Sequence, residues 1–256
     1  MKKRFQDKVV IVTGASTGIG KVAALEFAEE GASVVVAARS IEKGEQVVSQ
    51  IKERGGHAVF IQTDVSQSAS VRAMVAGTIA AYGRLDCAFN NAGIGGDIAL
   101  ATADHTEENW DQVMATNLKG TWLSMKYEIP EMLKHGGGTI VNNSSIYGLT
   151  GSKVGHVPYV VSKHGIIGLT KNASFEYAKQ GIRVNAVCPG YTHSELVDGA
   201  LEAFPDVFSK VLTEDVPMGR IANTEEITRA VLWLCSAEAS FITGQALAAD
   251  GGWLTT

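Results

Sequence analysis

Tyr159 and Lys163 are the two residues of this sequence whose types and spacing point most directly to chemistry. They lie four positions apart in a segment with helical periodicity, and a helix places residues i and i+4 side by side on one face. A tyrosine with a pKa of about 10 is a poor base near neutral pH, but a neighbouring ammonium group favours its phenolate form. We therefore expect Lys163 to lower the pKa of Tyr159 into the range where general acid and base catalysis is efficient.

The serines that precede this pair support its interpretation as a catalytic site. A tyrosine and a lysine at this spacing, taken alone, are more often an exposed pair on a helix surface. Here Ser144 and Ser145 follow residues 139–142, a short run that predicts a buried strand. A hydroxyl group at the end of a strand, close to the tyrosine, predicts a proton-transfer site.

A glycine-rich segment at residues 13–20 lies between the first predicted strand and the first predicted helix. Gly14 permits a tight turn, while Gly18 and Gly20 let the backbone approach a pyrophosphate and let the helix pack close to the sheet. The helix N-terminus offers free N–H groups and the positive end of its dipole to the phosphates. A lone glycine motif is an ordinary turn, but in this position it predicts a dinucleotide site.

The end of the second predicted strand bears on the choice between NAD and NADP. Sites for NAD usually place an acidic side chain there, whereas this chain has Ala38 followed by Arg39 and Ser40. NADP(H) is therefore favoured over NAD(H), because a guanidinium can bind a 2′-phosphate; the alternative is that Arg39 is solvated or stacks on adenine. Asp64 follows the third predicted strand and either accepts a hydrogen bond from the adenine amino group or caps the next helix.

Short β-branched runs alternate with longer amphipathic segments along the 256 residues of the chain. This pattern predicts an α/β fold: a Rossmann-like, doubly wound parallel sheet of about seven strands with helices on both faces, in three layers. No linker interrupts the pattern, so we expect a single domain over residues 1–256. Residues 106–134 predict one long helix, and the least regular segment, residues 191–220, predicts a substrate lid.

Taken in order, these motifs resemble the short-chain dehydrogenase/reductase family, in its single-domain branch of roughly 250 residues. The resemblance extends over nearly the whole chain and includes the Asn-Asn-Ala-Gly segment at residues 90–93, Asn117, and the pair Pro189 and Gly190. It implies an oxidoreductase that transfers a hydride between NAD(P)(H) and a ketone or secondary alcohol.

The resemblance also implies roles for individual residues. Tyr159 exchanges the proton with the substrate oxygen, Ser145 hydrogen-bonds that oxygen, and Lys163 assists Tyr159 and binds the nicotinamide ribose. Asn117 holds a water in a relay to Lys163, or is instead a helix-interior side chain bonded to backbone. The residues expected to bind the cofactor are Gly14, Ser16, Thr17, Gly18, Ile19, Gly20, Arg39, Ser40, Asp64, Val65, Asn91, Ala92, Gly93, Tyr159, Lys163, Pro189, Gly190, Thr192 and Ser194.

Two departures from the family pattern lie near the expected site. Tyr159 follows Ser145 by 14 residues, one more than the family spacing, which we interpret as an insertion within residues 151–157. This shift leaves both Ser144 and Ser145 open as the catalytic hydroxyl, and we favour Ser145. Ser194 stands where the family usually has threonine, and it retains the hydroxyl group.

The substrate is expected beyond the carboxyl ends of the strands. Its candidate contacts are Ser145, Tyr147, His156 and Tyr191, although a histidine in this position is also often a plain loop residue. The mostly apolar lid favours a carbocyclic, aromatic or aliphatic ketone, unless its side chains only pack onto the domain. The lid residues concerned are Leu196, Val197, Leu201, Phe204, Val207, Phe208 and Leu212.

Two other functions remain open from the sequence. A 3-oxoacyl-thioester reductase of the same family uses the same catalytic residues on a different substrate. A dinucleotide-sensing protein without turnover typically lacks the pair formed by Tyr159 and Lys163, so its presence here argues against that class.

Composition limits the possible partners. The net charge of −5 gives no electrostatic reason to expect a nucleic acid or an anionic membrane, and no apolar run is long enough to span a membrane. Three widely separated cysteines predict neither a disulfide framework nor a metal site and favour the cytoplasm. The family is often a homotetramer, and Trp110, Trp122, Met125 and Tyr127 suit either subunit faces or the core.

Overall fold

The computed structural model describes residues 3–203 and 215–255, apart from the side chains at positions 196, 200 and 201. Residues 204–214 of the expected lid, which include Phe204, Val207, Phe208 and Leu212, lie outside the described residues. The described part contains a parallel sheet of seven strands in the order β3-β2-β1-β4-β5-β6-β7. The strands are β1 (Val9–Thr13), β2 (Ser33–Ala38), β3 (His57–Gln62), β4 (Cys87–Asn90), β5 (Gly138–Asn143), β6 (Ile182–Pro189) and β7 (Ala246–Ala249).

Helices connect these strands and cover both faces of the sheet. They are α1 (Gly18–Glu29), α2 (Ile41–Glu53), α3 (Ser68–Tyr82), α4 (Glu107–Val113), α5 (Gly120–Lys134), α6 (Val157–Tyr177), α7 (Glu195–Ala203) and α8 (Thr224–Cys235). The predicted α/β architecture, with a doubly wound parallel sheet, is confirmed. None of the helices in the described ranges is long and apolar enough to span a membrane.

The sheet is buried on both faces because successive side chains of a strand point in opposite directions. In β1, Val10 and Val12 pack into one apolar cluster, whereas Ile11 packs into the other. The first cluster includes Phe27 of α1 and Ile227 of α8, and the second includes Met74 of α3, Leu123 of α5 and Ala173 of α6. This burial explains why β1 is a nearly continuous apolar run, and it gives the carboxyl ends of the strands a rigid support.

The single helix predicted over residues 106–134 is divided in the structure by a segment that contains Asn117. A π-helical stretch at Met114–Lys119 joins α4 to α5, and Asn117 lies within it, fully buried. Such stretches widen the helix locally and are often found at functional sites. Thr106 caps the start of α4 by accepting a hydrogen bond from the backbone N–H of Asn109 at 3.1 Å.

The described part of segment 191–220 is more regular than the sequence predicted, because it contains α7. Ser194 accepts a hydrogen bond from the backbone N–H of Val197 at 3.2 Å, as a residue at a helix start does. Glu195 and Asp198 lie in the first turn, where acidic side chains interact favourably with the helix dipole. Ser194, Glu195 and Asp198 were the sequence signal for this helix, which the prediction missed.

Candidate functional site

The site lies where the strand order reverses, between the carboxyl ends of β1 and β4. The glycine turn after β1 has Gly14 with φ +65° and Gly18 with φ +51°, a backbone conformation that favours glycine. Gly20 packs so tightly that a Cβ atom there would lie 2.3 Å from the carbonyl oxygen of Gly14. Asn91, just after β4, supports this turn by donating from Nδ2 to the carbonyl oxygen of Thr13 at 3.0 Å.

A cleft extends over this turn, and we call it the glycine-turn cleft. It is lined by Gly14, Ser16, Thr17, Gly18, Ile19, Ala38, Arg39, Ser40, Lys43, Thr63, Asp64, Val65, Asn91, Ala92, Gly93, Ile94, Thr116, Asn143, Tyr159, Lys163, Ser194 and Glu195. Most of the residues expected to bind the cofactor are therefore in one cleft. Four of the expected cofactor residues do not line it. Gly20 packs against Gly14 behind the turn, and Pro189 and Gly190 line a second cavity. Thr192 is buried, and its hydroxyl donates to the carbonyl oxygen of Gly190 at 3.0 Å.

Six lining residues were not identified from the sequence: Lys43, Thr63, Ile94, Thr116, Asn143 and Glu195. Two of them had a usable signal, since Thr63 directly follows β3 and Asn143 ends β5, at the edge of the sheet where the site was expected. The others depend on how α2, α7 and the π-helical segment approach the sheet. Lys43 and Glu195, for instance, form an ion pair across the cleft, with Nζ and Oε1 3.0 Å apart.

Arg39 and Asp64 both line this cleft. Arg39 is exposed, and within the described ranges its guanidinium forms no ion pair, so the group is accessible to a ligand. Asp64 is not the N-cap of α3, which is Gln67. Its Oδ1 atom instead accepts hydrogen bonds from the backbone N–H of Ser66 at 3.0 Å and from the Ser66 hydroxyl at 2.7 Å.

Asn117 ties the chain after β4 to the helix that carries Tyr159. Its Oδ1 accepts from the backbone N–H of Ile94 at 2.9 Å, and its Nδ2 donates to the carbonyl oxygen of Ile94 at 2.9 Å and to the hydroxyl of Ser162 at 3.2 Å. A Cβ atom on Gly93 would lie 3.3 Å from Oδ1 of Asn117 and 3.7 Å from Nζ of Lys163, so the two side chains reach the same point. The alternative interpretation of Asn117, as a side chain bonded to the backbone, therefore accounts for its two contacts with Ile94.

Tyr159 and Lys163 lie one turn apart on α6, as the sequence predicted. Nζ of Lys163 is 5.2 Å from the centre of the Tyr159 ring and donates to the carbonyl oxygen of Asn143 at 2.7 Å. Lys163 is buried, with a relative exposure of 3%. Its ammonium is therefore held by the end of β5 and lies beside the phenol.

The pKa of Tyr159 differs from the sequence expectation. Burial raises it to about 12, and a hydrogen bond with Ser145 lowers it only in part. Burial also lowers the pKa of Lys163 to about 8. The reason is that removing either group from water disfavours its charged form, and burial is the largest cause of both shifts.

The two candidate serines have different positions. The hydroxyl of Ser144 donates to the carbonyl oxygen of Lys163 at 2.9 Å, so it faces the backbone of α6. Ser145 faces the second cavity, and its Oγ accepts from the backbone N–H of Tyr147 at 3.2 Å. Of the two, Ser145 is the hydroxyl that meets Tyr159 in a cavity.

We call this second cavity the aromatic pocket. It is lined by Gly95, Gly96, Ile98, Ser145, Ile146, Tyr147, Val154, His156, Tyr159, Pro189, Gly190, Tyr191 and Val197. All four expected substrate contacts are among these residues. The hydroxyls of Tyr147 and Tyr191 are 2.6 Å apart, and Trp253 packs edge-on against Tyr147 with ring centres 6.0 Å apart. Within the part of the chain that the structure describes, no lysine, arginine, aspartate or glutamate lines this pocket.

Tyr159 is the one residue that lines both the glycine-turn cleft and the aromatic pocket in the described part of the chain. An ionisable hydroxyl at the junction of two cavities can pass a proton to a molecule bound in one of them while a second molecule occupies the other. The arrangement thus suits a reaction between two bound molecules that includes a proton transfer.

Comparisons with known proteins agree with this arrangement. A sequence model of the family described as enoyl-(acyl carrier protein) reductase matches residues 14–254. Cyclohexanol dehydrogenase of Acinetobacter sp. (strain SE19) is 40% identical over 253 residues, covering 99% of this chain and 97% of that protein. The 3-oxoacyl-[acyl-carrier-protein] reductase of Staphylococcus aureus is 41% identical over 246 residues, covering 96% and 97%. The crystal structure of levodione reductase matches with a TM-score of 0.94 and 32% identity, covering 99% of this chain and 100% of that one. The chain therefore belongs to the short-chain dehydrogenase/reductase family of oxidoreductases.

Proposed function

We propose that this protein is an NAD(P)-dependent alcohol dehydrogenase/ketoreductase that prefers NADP(H) and acts on small, apolar ketones and their secondary alcohols. The observation that carries this proposal is the position of Tyr159 at the junction of the two cavities. The glycine-turn cleft would then hold the dinucleotide and the aromatic pocket the ketone or alcohol.

The residues of the glycine-turn cleft fit a dinucleotide. Thr17 precedes α1 without capping it through its side chain, so the first N–H groups of the helix remain available to a pyrophosphate. The close packing of Gly20 on Gly14 leaves no room for a side chain at position 20, so the start of α1 lies directly against the turn. Arg39 is an exposed residue that lines this cleft, and a guanidinium can bind a 2′-phosphate, which supports NADP(H) over NAD(H). When bound, such a dinucleotide supplies or accepts the hydride.

In the reductive direction Tyr159 acts as the general acid. Its phenol keeps its proton at neutral pH because burial raises its pKa to about 12. As the carbonyl carbon gains a hydride, the carbonyl oxygen takes the proton of Tyr159, and the C=O group becomes an alcohol. Ser145 accepts from the backbone N–H of Tyr147 and is hydrogen-bonded to Tyr159, so its O–H group lies beside the proton donor and would donate to a substrate oxygen bound between the two hydroxyls.

Lys163 and Asn117 support the phenolate that remains on Tyr159. The Lys163 ammonium lies 5.2 Å from the phenol ring and stabilises the negative charge. Asn117 and Lys163 reach the same point beside Gly93, which is where a water that returns the proton would lie. In alcohol oxidation the same groups act in reverse, with the phenolate as the general base.

The aromatic pocket supports a small apolar substrate. Its described walls carry tyrosine, isoleucine and valine side chains, and none of the described lining residues is a lysine, arginine, aspartate or glutamate, so a carbocyclic, aromatic or aliphatic ketone is desolvated there at little cost. We also propose that residues 1–256 form one domain and that residues 191–220 are a lid over this pocket, because Val197 of α7 lines it. A 3-oxoacyl thioester is the second candidate substrate, favoured by the similarity to the Staphylococcus aureus reductase.

The protein is further proposed to be a homotetramer. A surface groove runs between the α4–α5 region and α6, lined by Met114, Leu118, Trp122, Leu169 and other residues, and the side chain of Trp122 is 44% exposed. An apolar groove of this kind fits a second copy of the chain. Met125, by contrast, packs in the core and Tyr127 packs against it, so these two residues stabilise the domain itself.

The three cysteines are free, buried thiols, which supports a cytoplasmic location.

The substitution Tyr159→Phe tests the function. We expect NADPH oxidation with cyclic and aliphatic ketones to fall by at least about 100-fold, while the cofactor affinity changes little, because only the proton donor is lost. Tyr177→Phe, near the C-terminal end of the same helix, is the matched control and keeps full turnover. Turnover by Tyr159→Phe at the native rate would refute the proposal. Competition between free ketones and an acyl thioester separates the two candidate substrates.

A further inference from the structure

Two loops that border the aromatic pocket are joined by three hydrogen bonds. The backbone N–H groups of Ala99 and Leu100 donate to the carbonyl oxygens of Val154 at 2.9 Å and Gly155 at 3.4 Å. Nε2 of His156 lies 2.6 Å from the carbonyl oxygen of Gly95, which can only accept, so Nε2 carries the proton. On one of the two loops these contacts are made by Val154, Gly155 and His156, which belong to segment 151–157, where the sequence indicates an insertion.

The same histidine is stacked on the proposed proton donor. The rings of His156 and Tyr159 are nearly parallel, with an interplanar angle of 6° and centres 4.5 Å apart. Tyr147 meets the Tyr159 ring edge-on, with centres 6.5 Å apart, and Nζ of Lys163 lies 5.2 Å from its centre. The orientation of the phenol ring therefore depends on the flat face that His156 presents.

We propose that His156 is a positioning residue that fixes the position of the Tyr159 phenol relative to the wall of the aromatic pocket at Gly95. This inference rests on the proposed role of Tyr159 in proton transfer. One ring performs two separable tasks: its face orients the phenol, and its N–H group anchors the pocket wall. His156 does not exchange the proton itself, because Nε2 is engaged with Gly95 and burial lowers the pKa of the imidazole, which keeps it neutral.

Two substitutions separate the two tasks. His156→Phe keeps a flat ring against Tyr159 but loses the N–H donor, so the pocket wall loosens while the phenol stays oriented. We expect KM for the ketone to rise about fivefold, with kcat within about threefold of the native value. His156→Gln keeps an N–H donor but loses the ring, so we expect kcat to fall about tenfold with KM nearly unchanged.

The pH profile of alcohol oxidation provides a second readout. Its acid limb reports the pKa of the phenol in the complex. Removing the ring lets water reach Tyr159, and because burial raises this pKa, hydration lowers it. The limb therefore moves to lower pH in His156→Gln and stays in place in His156→Phe. His164→Gln, an exposed position on α6, is the matched control and leaves kcat, KM and the limb unchanged.

The outcomes distinguish this inference from the proposed function. If Tyr159→Phe is inactive but the phenylalanine and glutamine variants of His156 change kcat and KM in the same proportion, with no shift of the limb, the positioning role is refuted and the function stands. If Tyr159→Phe retains native turnover, the proposed function has failed, and the His156 role fails with it.

Discussion

Glu128 is a buried acid whose ionisation we expect to control how stability varies with pH. It lies on α5 with no exposed surface. Its Oε2 accepts a hydrogen bond from Nδ2 of Asn90 at 3.1 Å, whereas Oε1 and the Oδ1 atom of Asn90 are buried acceptors with no hydrogen-bond partner among the described residues. A proton on the carboxyl supplies a donor that this surplus of acceptors lacks. Burial accordingly raises the pKa of Glu128 from 4.5 to about 7.

The size of the effect follows from this shift. Each unit of pKa corresponds to about 1.4 kcal/mol, so a rise from 4.5 to about 7 amounts to about 3 kcal/mol of unfolding free energy. Between these two pH values the native state binds more protons than the unfolded state, so stability decreases as pH rises through the interval. Below it the contribution of Glu128 is fully present, and above it the ionised carboxylate has lost that contribution.

The perturbation is Glu128→Gln, which cannot ionise and has nearly the same shape. We expect urea denaturation, followed by tryptophan fluorescence at one protein concentration, to show that the variant gains up to about 3 kcal/mol relative to the native protein on going from about pH 5 to about pH 8. Glu45→Gln, an exposed position on α2, is the control, and its difference from the native protein should not depend on pH. A glutamine variant whose difference is the same at both pH values would refute the idea of a neutral buried acid.

Two further predictions concern the cofactor and the assembly. Arg39→Ala should weaken NADPH binding by about tenfold and leave NADH binding unchanged, because only the 2′-phosphate loses a charged partner; fluorescence titration measures both, and an equal loss for the two cofactors would count against the NADP preference. Trp122→Glu should reduce the tetramer to smaller species in light scattering, because it places a charge in the apolar groove; an unchanged mass would exclude this groove as a subunit contact.

The elements of the fold could be predicted from the sequence because their causes are local. The apolar run of β1 indicates burial on both faces, and the glycine turn that follows requires the positive φ angles seen at Gly14 and Gly18. Tyr159 and Lys163 are neighbours because they are four positions apart on a helix, whatever surrounds them. In the same way, the motif order was sufficient to identify the family.

The chemical state of the site depends on contacts between distant segments, which the sequence pattern does not contain. The pKa of Tyr159 is raised because several elements bury it, whereas the sequence predicted that the ammonium of Lys163 would lower it. Likewise, the choice between Ser144 and Ser145 depends on which hydroxyl faces α6 and which faces the pocket. The stacking of His156 on Tyr159 requires the loop after β4 to meet the loop before α6.

Sequence alone thus determined the order of the elements, the glycine turn and the pairing on α6, since hydrophobic periodicity and helical spacing act over a few residues. Tertiary structure decided that Tyr159 lines two cavities, that Asn117 lies in a π-helical turn and that Glu128 is buried without a charged partner among the described residues. Desolvation and the meeting of loops arise from residues far apart in the chain, and they exist only once the chain is folded.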